Sequence, residues 1–309
     1  MKEPEKINGP EATGQPAEDA DWSETAPPYS EAKRMISVFF GRPLPVVGLV
    51  FIVLLIFIAI FAPLISPYEP NKMDILNKLQ SPSSAHWLGT DSLGRDTLSR
   101  IIFGSRTSLI IGLTVVFIST VVGLALGLIA AYFGGWVYTV IMRLIDALMA
   151  FPMILLALLV ASLLGGGMKN IIIALSISYI TVPCRMMCGI ALSVKQNEYI
   201  LAARMMGMSN QRIMLEQILP NAFAPLLVML TIGLGAVILA EAGLSFLGIG
   251  ITPPTAAWGG MVNDGYKYLL STPTLAIAPG IAIMIAVFGF NMIGDGLRDA
   301  LDPRLRGVI

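Results

Sequence analysis

One histidine, His86, and two cysteines, Cys184 and Cys188, are all that 309 residues offer as soft metal ligands. A structural zinc site takes four such ligands. The two cysteines stand one helical turn apart inside an apolar run, so a disulfide framework is not expected either; they read as small buried hydrophobes. Charge is scarce: Asp, Glu, Lys and Arg make up 13% of the chain, against about 25% in soluble domains. Twenty basic residues balance twenty acidic ones, which leaves no basic footprint for nucleic acid. No G-x-x-x-x-G-K-[ST] phosphate loop occurs, and Gly165-Gly166-Gly167-Met168-Lys169 lacks its spacing. Without HExxH or Gly-x-Ser-x-Gly there is no nucleophile–base set, so no chemistry of its own is expected of this chain. No apolar core follows a basic start near Met1, and no cleavable signal peptide is expected.

Apolar residues make up 55% of the chain. A helix needs about 20 in succession to cross the hydrocarbon core. Six stretches reach that length, at roughly 45–66, 108–132, 139–164, 170–193, 222–247 and 274–294, which predicts an all-α polytopic membrane protein with six transmembrane helices. Gly134-Gly135 and Gly165-Gly166-Gly167 mark turns on either side of the third. Residues 1–35, rich in Glu, Asp, Pro and Ser, bury too little to offset their ordering entropy and read as a disordered tail. An N-terminal module with the first span follows at 36–85, then a core at 104–296 and a C-terminal tail at 297–309. Most basic residues, Arg143, Lys195, Arg204 and Arg298 among them, fall on the cytoplasmic side if both termini lie there. Trp258, Tyr266 and Tyr268 then serve as aromatic anchors on the opposite side.

Residues 198–221, EYILAARMMGMSNQRIMLEQILPN, are neither apolar enough to span lipid nor composed like a loop. Asn197 is expected to cap a helix that begins at Glu198, with the carboxylate at the positive end of the dipole. Gly207 is placed to end that helix in the left-handed region. Ser209 caps a second helix carrying Ile213, Met214 and Ile218, and Pro220 is expected to stop it. The result is a helix–turn–helix between two spans, with an apolar face and nothing of its own to bury it against. The order Leu201-Ala202-Ala203, Gly207, Gln217-Ile218-Leu219-Pro220 resembles the EAA loop of binding-protein-dependent ABC importers, the permease element that docks on the ATPase subunit. The resemblance makes Glu198, Leu201, Ala202, Ala203, Gly207, Ile213, Ile218, Leu219 and Pro220 the coupling residues. Leu201 stands where the family has glutamate, and Gln217 where it has an apolar residue.

Ahead of the second span, Gly89, Asp91, Gly94, Arg95 and Asp96 alternate turn-formers and charges. The glycines permit tight turns, and the three charged residues are expected to cross-pair. LGTDSLGRDTLSRIIFGSRTSL, Asp146-Ala147-Leu148-Met149-Ala150-Phe151-Pro152, Gly243-Leu244-Ser245-Phe246-Leu247-Gly248 and Gly294-Asp295-Gly296-Leu297-Arg298-Asp299 together resemble the C-type permease subunit of the dipeptide/oligopeptide/nickel family, from about residue 36 onward. That resemblance implies the type I ABC importer permease fold. It also implies a second homologous permease, two ABC ATPase subunits holding ATP and Mg, and an extracytoplasmic solute-binding protein, all in a bacterial inner membrane. No cofactor is implied for this chain.

Four intramembrane features remain. Arg143 and Asp146, three apart, are expected to neutralise each other. Pro152 should kink the third span. Gly123 and Gly127 form a GxxxG face for close helix packing. Glu241, deep in the fifth span, is a candidate for the translocation path or a partner helix. The expected function is half of the translocation path of an ATP-driven importer for di- or oligopeptides, with nickel, glutathione or another small solute as alternative cargo. A stand-alone secondary transporter is the reading from a different class; it usually requires internal repeats, and none is evident.

Overall fold

The computed structural model describes residues 31–301. Most of the expected N-terminal disorder and the end of the C-terminal tail lie outside those residues, but 31–35 already belong to a helix, α1 (Glu31–Phe40). Among the described residues the only β pairing is an isolated bridge between Thr90 and Asp96. Among the described residues five helices are long and apolar enough to cross a membrane, and counting one sharply bent pair as a single span gives six.

The first span is α2 (Pro43–Ile60), begun by a proline whose missing N–H costs nothing in a first turn. A single turn, α3 (Ala62–Ile65), follows it. The second span, α4 (Thr97–Phe133), starts a full three turns before the apolar run does. Its polar first turns are possible because Thr97, Ser99, Arg100 and Ser105 all face inward, each less than 6% exposed. The third expected span is two helices, α5 (Gly135–Met149) and α6 (Met153–Leu164), bent by 92°. Pro152 does more than kink it: Phe151-Pro152 interrupts the helix, with Pro152 in the extended region at ψ 135°. The fourth span is α7 (Met168–Tyr179) and α8 (Thr181–Val194), in near-continuous register.

After a short α9 (Glu198–Met205), α10 (Asn210–Arg212) leads through a π segment, Ile213–Ile218, and a 3₁₀ turn, Leu219–Ala222, into α11 (Phe223–Phe246). The expectation that Pro220 stops the second hairpin helix is therefore wrong. A proline inside an α-helix collides with the carbonyl four residues back; here the helix widens before Pro220 and tightens at it, and the chain runs on as span five. A short helix, α12 (Trp258–Tyr266), precedes the last span, α13 (Thr274–Leu301).

The closest pairings are α4 with α8 and α11 with α13. The GxxxG expectation explains the first. A Cβ on Gly127 would fall 2.3 Å from the Cys184 carbonyl oxygen, and one on Gly123 would fall 2.7 Å from Cγ of Pro183. Backbone meets backbone there, and Cys184 and Cys188 are buried as expected, as free thiols. Three apolar clusters stack along the bundle: one near the 198–221 hairpin, one among α4, α6, α7 and α11, and one joining α2, α4, α11, α12 and α13.

Candidate coupling site

The 198–221 segment forms a hairpin at the end of the bundle where α4 and α8 finish. Asn197 occupies the N-cap position of α9 with extended backbone, but its side chain makes no capping bond; Glu198, exposed, lies in the first turn. The far end of α9 is more specific. Gly207 has φ +79°, its N–H donates to Arg204 O at 3.0 Å, and Met208 N–H donates to Ala203 O at 3.1 Å. That pair of bonds is a Schellman motif. A Cβ on Gly207 would meet nothing within 4 Å, so backbone conformation alone asks for glycine here. Ser209 then caps the next helix, its Oγ accepting from Arg212 N–H at 3.4 Å, as expected.

Burial divides the hairpin. Ile200, Ile213 and Ile218 are fully buried and Ala203 nearly so, packed with Tyr132, Met142, Ile145, Met187 and Val194. The apolar face thus does have a surface of its own chain to cover it, contrary to expectation, and Ile213 and Ile218 anchor the hairpin rather than project from it. Leu201, Ala202, Met205 and Met206 stand outward; Met205 is 89% exposed and Met206 78%. Leu219 is half-buried and Pro220 exposed.

Tyr132, which composition gave no reason to single out, organises the attachment. Its hydroxyl donates to Oδ1 of Asn210 at 2.6 Å. Its carbonyl accepts from Lys195 Nζ at 2.7 Å, and the same amine donates to Ala131 O at 3.2 Å. A cation on the last carbonyls of a helix is favourable. Burial, with Arg204 nearby, lowers the Lys195 pKa; the Arg204 guanidinium lies 5.1 Å from the Tyr132 ring centre. The hairpin is thus bolted to α4 by polar contacts and continuous with α11 by its backbone.

At the opposite end of α4 the Gly89–Asp96 signature is a folded plug. Asp96 caps α4, accepting from Ser99 N–H at 2.7 Å and Ser99 Oγ at 2.6 Å, and it pairs with His86 Nδ1 at 2.9 Å. Asp91 takes Arg95 Nε at 2.6 Å and the Leu93 and Arg95 amides. Only Asp91 and Arg95 pair as expected; Asp96 spends its charge on the helix start. Gly94 has φ +74°, and a Cβ there would lie 1.7 Å from the Asp74 carbonyl oxygen. Trp258, expected as an interfacial anchor, is 1% exposed and donates from Nε1 to Ile101 O at 2.9 Å.

The remaining expected residues fall elsewhere. Asp146 pairs with Arg185 of α8 and not with Arg143, although Arg143 and Asp146 lie three apart on the unbroken α5. Glu241 is fully buried within the chain, Oε1 accepting from Ser245 Oγ at 2.7 Å and Oε2 without a partner among the described residues. Ser245 Oγ also accepts from Ile251 N–H at 3.2 Å, so the carboxyl braces the turn after α11.

Comparison with known proteins agrees with this architecture. Residues 123–307 match the family described as binding-protein-dependent transport system inner membrane component, and residues 30–82 match the N-terminal TM domain of oligopeptide transport permease C. The dipeptide transport system permease protein DppC of Alkalihalophilus pseudofirmus is 41% identical over 297 residues, covering 96% of each chain. The glutathione transport system permease protein GsiD of Pectobacterium atrosepticum is 43% identical over 269 residues, covering 87% of this chain and 89% of that one. Among solved structures, the MetNI methionine ABC transporter in an inward-facing form matches with TM-score 0.54 at 20% identity, covering 66% of this chain and 97% of that one; this shows the fold. Members of this family are transport subunits and not enzymes. The chain is a multi-pass membrane protein of the ABC importer permease family, similar to its dipeptide and glutathione permeases.

Proposed function

We propose that this chain is one half of the translocation path of an ATP-driven peptide importer in a bacterial inner membrane, with both termini cytoplasmic. Its partners are a second, homologous permease, two ATPase chains that hold ATP and Mg²⁺, and an extracytoplasmic binding protein that brings di- or oligopeptides. The observation that carries the reading is the divided hairpin: an anchored inner face and an exposed outer face of Leu201, Ala202, Met205 and Met206. Such a patch suits a cleft on the ATPase, where apolar anchors supply most of the binding energy. Motion of the ATPase pair reaches the hairpin through these side chains. Tyr132, Lys195 and Asn210 pass it to α4, and the unbroken backbone passes it to α11. Leu201 in place of the family glutamate makes this contact apolar.

Glutathione is the second cargo reading, supported by the identity to GsiD. Both are tested by purifying the tagged chain in mild detergent with its neighbouring subunits co-expressed, reconstituting the complex, and measuring uptake of labelled Ala-Phe and of glutathione. Two ATPase chains and a second permease should co-elute, with ATP-dependent uptake of the dipeptide. Purification without any ATPase would overturn the importer assembly, and glutathione uptake without dipeptide uptake would replace the cargo.

A further inference from the structure

Three arginines follow one another into α4, and they are used differently. Arg95 is buried against Asp91. Arg100 is buried too, and its Nη1 donates to Pro70 O at 3.1 Å, Asn71 Oδ1 at 3.2 Å and Pro254 O at 3.3 Å. Arg106 is exposed, and among the described residues no carboxylate lies within ion-pair distance of it. It lines an open cleft of about 270 Å³ together with Asn71, Phe103, Thr107, Ile110 and Thr255.

The cleft is a built feature. Its rims are the 70–71 turn and the segment after Pro254, and the buried guanidinium of Arg100 ties the two together. Because Asn71 gives its Oδ1 to Arg100, its amide nitrogen remains as a donor, unbonded among the described residues. Thr107 adds a hydroxyl and no acid lines the space, while Phe103 and Ile110 form an apolar wall. Arg106 lies just ahead of the apolar run of α4, at the end that carries the signature loop, and its guanidinium has no carboxylate partner among the described residues. Its planar fork matches a carboxylate in two parallel hydrogen bonds.

We propose that this cleft recognises the C-terminal carboxylate of the cargo: Arg106 binds it, Asn71 and Thr107 supply further donors, and Phe103 with Ile110 receive the apolar side chain of the last residue. The inference rests on the peptide-import reading and names the subsite that reading lacks. Its volume lies just under the range of about 300–1,000 Å³ usual for ligand pockets, which suits one terminal residue rather than a whole peptide.

The test uses the purified permease–ATPase complex without binding protein, so that selection by the latter plays no part. Saturation-transfer NMR on Ala-Phe and on its C-terminal amide should give phenyl signals about tenfold stronger for the acid, as loss of one charged bidentate pair predicts. Arg106→Gln should abolish the difference and Arg106→Lys should restore part of it. Equal signals from acid and amide in the unaltered complex, or an acid preference that survives Arg106→Gln, would overturn the site. The same measurement in nanodiscs of phosphatidylcholine and of phosphatidylglycerol should agree; a signal lost in the anionic lipid would assign the guanidinium to anionic lipid headgroups instead. With the binding protein restored in proteoliposomes, failure of the unaltered complex to take up Ala-Phe would sink the peptide-import reading, whereas Ala-Phe uptake unaffected by Arg106→Gln would sink the cleft alone.

Discussion

Gly207 and Gly94 illustrate two separate demands on a glycine. Gly207 has free space around it and a positive φ, so a side chain is opposed only by its own backbone. A left-handed residue with a Cβ costs about 1–2 kcal/mol, and Gly207→Val should loosen the turn enough to reduce transport several-fold at equal membrane abundance. Gly207→Asn, which tolerates that region better, should keep most of it; uptake assays on matched vesicles read both. Gly94 meets the Asp74 backbone as well, so no rescue by asparagine is expected there. Charged residues tell a similar story. Arg143 and Asp146 stay three apart on the unbroken α5, yet the Asp146 carboxylate is spent on Arg185 of α8, a neighbour that only the packing of the two helices supplies.

The hairpin, as an element, separates anchoring from contact. Ile213→Ala removes buried methyl groups, a loss of about 2–5 kcal/mol in a packed site, and should lower the amount of folded protein recovered from membranes. Met205→Asp, on the outer face, should leave that amount unchanged and strip the ATPases from the purified complex, because it sets a charge where an apolar anchor was. If Met205→Asp retained the ATPases at the level of the unaltered chain, the outer face would not be the docking surface. The alternation was half legible. Glycine, serine and the apolar spacing gave both helices and the turn between them, while the π segment before Pro220 and the run into α11 were not foreseen. A proline disfavours helix before it in isolation; packing of Ile213 and Ile218 outweighs that preference here.

Across the whole molecule, the pairing of α4 with α8 sets the frame to which both ends are attached. Gly127→Leu would drive a side chain into the Cys184 carbonyl and should separate the helices, lowering the melting temperature in detergent and the yield together. An unchanged melting temperature would mean that α4 and α8 do not meet backbone to backbone at Gly127. The signature loop closes the other end of the same helix, with Asp96 on its N-terminus and Trp258 against Gly104.

Length and hydropathy determined by themselves that this chain crosses the membrane with about six apolar segments, because lipid leaves a backbone little choice but helix. Motif order likewise determined the family, and turn glycines the hairpin. Tertiary structure alone decided which face of each helix was spent inside the chain. Ile213, Ile218, Trp258 and Glu241 are buried, while Leu201, Met205 and Arg106 stand free. In a sequence where apolar residues cover every side of a helix, periodicity carries no inward direction, and only the neighbours a helix meets can supply one.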